Sequence, residues 1–471
     1  MSAAASGEID NAAADFQFLA EATLRLIATL HVELRRVQSQ AYAVSPHSSF
    51  TGESSSEART ADVHQAVHLL ELILEATAAQ VRDALADFGS SSHEYRLSLA
   101  RFVRFHNFNI RSLHRAIPWL EAAAASRVPL GARYLLEEAV SALLRPRANL
   151  ILVPEAAYSY TTEPSPFREL AESLFIEYPE EPLLIVAYFP VREDRALLYP
   201  LLVHEIAHRA VDEHSLRVEA LASASSELSG VPAELAKARA QLAASGSLDA
   251  DTIKLRVDDL FAQWVEEILC DALALAYLGP GYLLPFAATV HAMTSPGIPY
   301  EGHPTSALRL RVMHDAMKVS GWWTILEAAL PRIIPWLEYV SSRPRADVQS
   351  YPEALDQAVL LLAPGIFEAA KRHLGDRWFT VEQFAAPESE IIEMLQDEIF
   401  PAQLTSGEAP DRRAIVCATW FHMLGSDAVP ADLHAAISDD RMNAFLMKAI
   451  EMSIVLDAWR GEASSSFGDA F

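Results

Sequence analysis

The segment LLVHEIAHRA (201–210) holds His204, Glu205 and His208 in the spacing HExxH. On a helix, residues four apart share a face, so both imidazoles reach a single metal ion. Two nitrogen donors at that spacing suit a tetrahedral zinc, and the intervening Glu205 reaches a water as general base. With this chain's content of His and Glu, chance produces the spacing only about 0.04 times. The plain alternative is a buried helix with two hydrogen-bonded histidines. A hydrolytic zinc keeps one position open, so it needs a third protein ligand.

Downstream, WVEEILCDALALAYLG (264–279) offers one. Glu267 supplies a carboxylate, and Asp271, one turn later, accepts a hydrogen bond from a ligand imidazole and fixes its tautomer. Glu266, Glu267, Cys270 and Asp271 interrupt an otherwise apolar helix, where an unpaired charge is costly. The alternative is a solvated Glu pair. A third segment, EGHPTSALRLRV (301–312), sets His303 and Pro304 at a loop-to-helix junction, with Thr305 or Ser306 as cap. His303 could stabilise an oxyanion, and Arg309 could anchor Asp271 or another buried carboxylate. A helix start with an exposed His is the simpler reading of this segment.

These residues need rigid elements to hold them. Apolar periodicity predicts long helices over 14–44, 61–88 and 94–120, with a Ser-rich loop at 45–60. A helix over 131–144 leads to ANLILVPE (148–155). That run and PLLIVAYFPV (182–191) are the strand candidates, with loop and a short helix between them. Helix returns over 193–213, a helical hairpin over 217–245 and a strong helix over 252–278 that stops at GPG. Beyond a proline-rich loop at 295–304 the pattern is helical, with a frayed tail at the end. The fold class is mainly α with a small β-sheet. The expected division is an N-terminal helical region over 1–125, a core over 126–320 and a C-terminal helical region over 321–471.

Composition narrows the function. The net charge of −26 and the lack of a Lys/Arg run oppose nucleic acid and anionic lipid as partners. Two cysteines exclude a disulfide scaffold and suit a reducing compartment. The sequence predicts neither a membrane span nor a secretory signal, so a soluble cytoplasmic protein is expected. No phosphate-binding loop or nucleophile signature is present. His64 and His68 have metal-capable spacing but no third ligand, and read as helix surface. His214, His291, His314 and Tyr300 are left open as neighbours of the site. Cys270 reads as a small buried apolar residue.

HExxH, then ExxxD on a helix, then HP with a downstream Arg resembles the gluzincin zinc metallopeptidases, nearest to the CAAX prenyl-peptidase and HtpX type. The likeness covers roughly 180–315. It implies a zincin-like core, zinc on His204, His208 and Glu267, and Glu205 as base and proton shuttle. It implies further that Asp271 orients a ligand, that His303 stabilises the transition state, and that an edge strand at 183–189 pairs with extended substrate. Those relatives are membrane proteases, and Ala207 and Arg209 depart from their usual pattern. The expected function is a zinc-dependent peptidase acting on a peptide or protein substrate. A zinc-binding regulatory protein without proteolysis, and a helical scaffold with an accidental HExxH, are the alternatives.

Overall fold

Apolar residues at three- and four-residue spacing dominate the chain, and in the computed structural model these runs are helices gathered into two compact units. The described residues are 2–44, 54–89, 91–114, 116–125, 128–145, 148–154, 159–162, 171, 174, 176, 183–188, 195–223, 230–244, 249–292, 303–342 and 352–468. Unit 1 comprises Met1–Arg127 and Pro146–Pro190. Unit 2 comprises Val128–Arg145 and Val191–Phe471. Among the described residues, no helix is long and apolar enough to cross a membrane.

Unit 1 is built on α1 (Ser2–Val44), α2 (Ser54–Phe88), α3 (His93–His114) and α4 (Ala116–Ala125). On α1, Phe16, Ala20, Ile27, Leu30, Leu34 and Val37 recur on one face and are buried. Ile27, Leu30, Leu34 and Val37 meet Val67, Leu70, Ile73 and Leu74 of α2, and Ile110 and Ile117 from the next two helices, while Phe16 and Ala20 join Val81 and Ala84 of α2 and Leu99 and Val103 of α3. A three-stranded sheet completes the unit: β1 (Asn149–Pro154), β2 (Ser159–Thr162) and β3 (Leu183–Tyr188), in the order β1-β3-β2. β1 lies parallel to β3, with Ile151 opposite Ile185, and β2 lies antiparallel to it.

Unit 2 opens with α5 (Leu130–Leu143) and resumes with a 3₁₀ turn over Ala196–Leu201. Then follow α6 (Leu202–Glu213), α7 (Leu216–Ser223), α8 (Val231–Ala244), α9 (Ala250–Leu278), α10 (Pro280–Ala292), α11 (Ser306–Val319), α12 (Trp322–Ala329) and α13 (Ile334–Ser341). The unit ends with α14 (Ala354–Leu374), α15 (Val381–Ala385), α16 (Glu388–Gln396), α17 (Arg412–Leu424), α18 (Asp432–Ile437) and α19 (Asp440–Gly468). Helix α9 is its axis. The Asp249 side chain caps it by accepting from the amides of Asp251 and Thr252 at 3.1 and 2.9 Å. Every residue from Ile268 to Leu278 is buried. Gly279 ends the helix at φ 58°, under the Trp322 ring, where any side chain would be strained and crowded. Helices α6 and α14 pack against α9.

Several expectations are corrected. The predicted helix over 94–120 is two helices, α3 and α4. The stretch between the two expected strands contains a third, β2. Residues 196–201 form a tight 3₁₀ turn around Pro200 rather than the start of an α-helix. Helix α19 runs on to Gly468 where a frayed tail was expected. The two compact units interleave along the chain, with bounds at 127/128, 145/146 and 190/191. The strands belong with the N-terminal helices in unit 1, and the C-terminal helices belong with the HExxH helix in unit 2. The segment at 183–189 is not an open edge either. Both sides of β3 are already paired, and β1 and β2 occupy the outer positions. Most of the Ser-rich loop, the proline-rich loop at 295–304 up to residue 302, and Tyr300 lie outside the described residues.

Candidate metal centre

Helix α6 has apolar residues on its packed face and two histidines one turn apart on it. His204 and His208 are both buried against α9. Glu267 of α9 points at them and is only 7% exposed. Its Oε2 is 3.3 Å from Nε2 of His204, and its Oε1 is 3.4 Å from Nε2 of His208. Ligands about 2.0–2.1 Å from a tetrahedral metal ion stand about 3.3 Å from one another, so the three donors are spaced to share one ion. Among the described residues this is the one group of three or more His, Cys, Asp or Glu side chains able to hold a metal ion. Glu267 Oε2 is buried and accepts no hydrogen bond. A buried carboxylate oxygen in that state is suited to a cation.

Each imidazole is aimed by its own carboxylate. His204 Nδ1 lies 2.9 Å from Oδ1 of Asp271, which is 1% exposed. His208 Nδ1 lies 3.1 Å from Oε1 of Glu266. Donation from both Nδ1 atoms turns both Nε2 lone pairs towards Glu267. Asp271 is itself held firmly. Arg309 of α11 donates to it through Nε at 2.7 Å and Nη2 at 2.6 Å, and the Tyr282 hydroxyl of α10 donates to Oδ1 at 2.5 Å. Arg217 lies 3.3 Å from the other oxygen of Glu266.

The charges reinforce this order. Burial raises the Asp271 carboxyl, but Arg309 and then His204 outweigh it and hold the group well below the carboxylate range. Burial likewise raises Glu267, and His204, Arg309 and His303 pull it down to about 2. For His204, burial and Arg309 oppose protonation. Asp271 and Glu267 overcome them and raise it to about 10. Without a metal the two carboxylates are thus matched by Arg309 and a protonated His204, and a metal ion binding at Nε2 would take the place of the His204 proton.

His303 sits just before α11, whose cap is Thr305, accepting from the Leu308 amide at 3.1 Å. Its Nε2 is 3.3 Å from Oε1 of Glu267, and its side chain is 48% exposed, so it borders the site from the solvent side. Glu205 follows His204 on α6 and is half-buried. Among the described residues its carboxylate makes no hydrogen bond and no ion pair. It is therefore available to a substrate or a water.

The structure brings together His204, His208, Glu267, Asp271, His303 and Arg309, all named from the sequence. It keeps three other histidines away. His214 lies tilted against His373, His291 meets Trp336, and His314 lies against Trp323. Cys270 is a buried thiol raised by that burial, as a small core residue would be. Sequence reasoning missed two partners. The first is Tyr282, which follows the GPG stop and carries no motif. The second is Glu266, whose pairing with His208 was foreshadowed only by its place beside Glu267 in an apolar helix. No protein-family model, curated protein or solved structure matches this chain.

Proposed function

We propose that unit 2 is a zinc-dependent peptidase with a zincin-like core of the gluzincin kind. The observation that carries this reading is the buried His204–His208–Glu267 group, each imidazole aligned by its own carboxylate, with Glu205 unpartnered beside it. The donor set of two imidazoles and one carboxylate fits zinc, which when bound would polarise a scissile carbonyl and lower the pKa of a water.

The residues of the chain do the rest. His204, His208 and Glu267 hold the ion, and Asp271 and Glu266 keep the imidazoles in the tautomer that binds. Arg309 and Tyr282 fix Asp271. Glu205 takes a proton from the attacking water and passes it to the leaving amine. His303, half exposed at the rim, donates to the oxygen that gains charge as the carbonyl carbon becomes tetrahedral.

The test compares wild type with Glu205→Gln. Zinc content is read by elemental mass spectrometry, and cleavage of a mixed peptide library by mass spectrometry. The expected result is one zinc per chain in both proteins and cleavage by wild type alone. Equal cleavage by both proteins, or iron in place of zinc, would overturn the reading.

A further inference from the structure

Helix α3 of unit 1 has two unlike faces. Leu99, Val103, Ile110 and Leu113 are buried in the unit. The outer face carries Leu97, Arg101, Arg104, Phe105, Phe108 and Arg111, all exposed, with Glu94 as the one acidic residue of the helix at its N-terminal end. At 3.6 residues per turn these six fall within an arc of about 120° and extend over roughly 20 Å of helix. Phe108 is 69% exposed, Leu97 50% and Phe105 44%. Arg101, Arg104 and Arg111 form no ion pair with any described residue. Yet the chain has 63 acidic residues against 37 Lys and Arg. A helix face that needed only to stay wet would carry Glu or Lys, not two phenylalanines between unpaired arginines.

We propose that this face of α3 docks an acidic, amphipathic peptide segment of a partner protein. The partner's carboxylates would pair with the three arginines, which offer forked donors matched to a carboxylate. Its apolar residues would cover Leu97, Phe105 and Phe108. Arginine and aromatic side chains are the groups that concentrate binding energy in protein interfaces. Charge complementarity selects this occupant over other anions. Three arginines release few counterions from nucleic acid, and the net charge of −26 repels a polyanion or an anionic bilayer as a whole. A short acidic peptide feels mainly the charges within a Debye length of about 8 Å.

The test uses the full chain and fluorescence anisotropy. The probes are a labelled 16-residue helical peptide with Glu on one face and Leu and Phe on the other, and its Lys-for-Glu counterpart. A single-stranded RNA of similar length and phosphatidylserine vesicles are the competing ligands. Wild type should prefer the acidic peptide by tenfold or more. The double variant Arg104→Glu/Arg111→Glu should lose that preference and gain affinity for the Lys peptide. Phe105→Ser/Phe108→Ser should weaken both peptides. Circular dichroism and urea midpoints check folding, and Arg104→Gln/Arg111→Gln replaces the charge reversal if that variant fails to fold. Equal binding of the two peptides, unchanged preference in the arginine variants, or tighter binding of RNA or vesicles would overturn the proposal.

Discussion

Oε1 of Glu266 lies 3.1 Å from Nδ1 of His208, on the opposite side of that ring from Glu267. Adjacent residues on α9 thus address one imidazole from two directions. Glu267 meets the nitrogen that faces the metal centre, and Glu266 meets the one that faces away. Removing an orienting carboxylate typically weakens metal affinity about 10–100-fold. Glu266→Gln is therefore expected to bind zinc within that range below wild type, and Glu267→Ala to lose stoichiometric zinc. Competition with a chromogenic chelator measures both. Equal affinity of Glu266→Gln and wild type would remove Glu266 from the centre.

Arg309 grips a carboxylate that has almost no contact with water. Truncating it to Met leaves Asp271 as a buried charge with only His204 and Tyr282 to satisfy it. Breaking one side of a buried pair costs about 3–5 kcal/mol. Arg309→Met should lower urea stability by an amount in that range. The double variant Arg309→Met/Asp271→Asn should recover part of it, because the orphaned charge is gone.

His106 gives unit 1 a dependence on acid. The ring is buried among Phe102 and Phe105, and Nδ1 has no hydrogen-bond partner. Burial pushes its pKa down to about 4. The folded state therefore resists a proton that the unfolded chain accepts near 6.5. Stability is fully present above about 6.5 and is lost as pH falls towards 4. Urea titrations of unit 1 followed at pH 7.5 and pH 5 should show the decline, and His106→Gln should flatten it.

Much of the centre could be read from the linear chain, because HExxH and ExxxD are helical spacings and the helices formed as expected. Asp271 and Arg309 were legible for a related reason: a charge set in an apolar stretch has to find a partner. Tyr282 was not legible, since its role depends on how the turn at Gly279 folds α10 back towards α9. The strand β2 was hidden as well. Ser159, Tyr160, Thr161 and Thr162 show no alternation of apolar and polar side chains, and only pairing with β3 makes them a strand. Within unit 1, Ile185 of β3 joins Ile151 and Val153 of β1 in the core shared with the helices.

Gly131 marks a close approach within unit 2. A Cβ on this residue of α5 would overlap the carbonyl oxygen of Met447 in α19. The obstacle is backbone, which cannot swing aside as a side chain would. Gly131→Ala should cost about 1–3 kcal/mol by forcing the helices apart, measured by thermal or urea unfolding. An unchanged midpoint would mean that the two helices slide freely.

The same contact has a consequence for synthesis. Helix α5 emerges from the ribosome between two stretches of chain that belong to the other unit, and the helix it rests on begins only at Asp440. At about 5–20 residues per second, tens of seconds pass before that partner exists. During this interval the face of α5 around Gly131, which packs on α19 in the finished unit, has no partner. Nascent chains truncated before residue 440 should therefore be clients of holding chaperones, and release should come with the last helix.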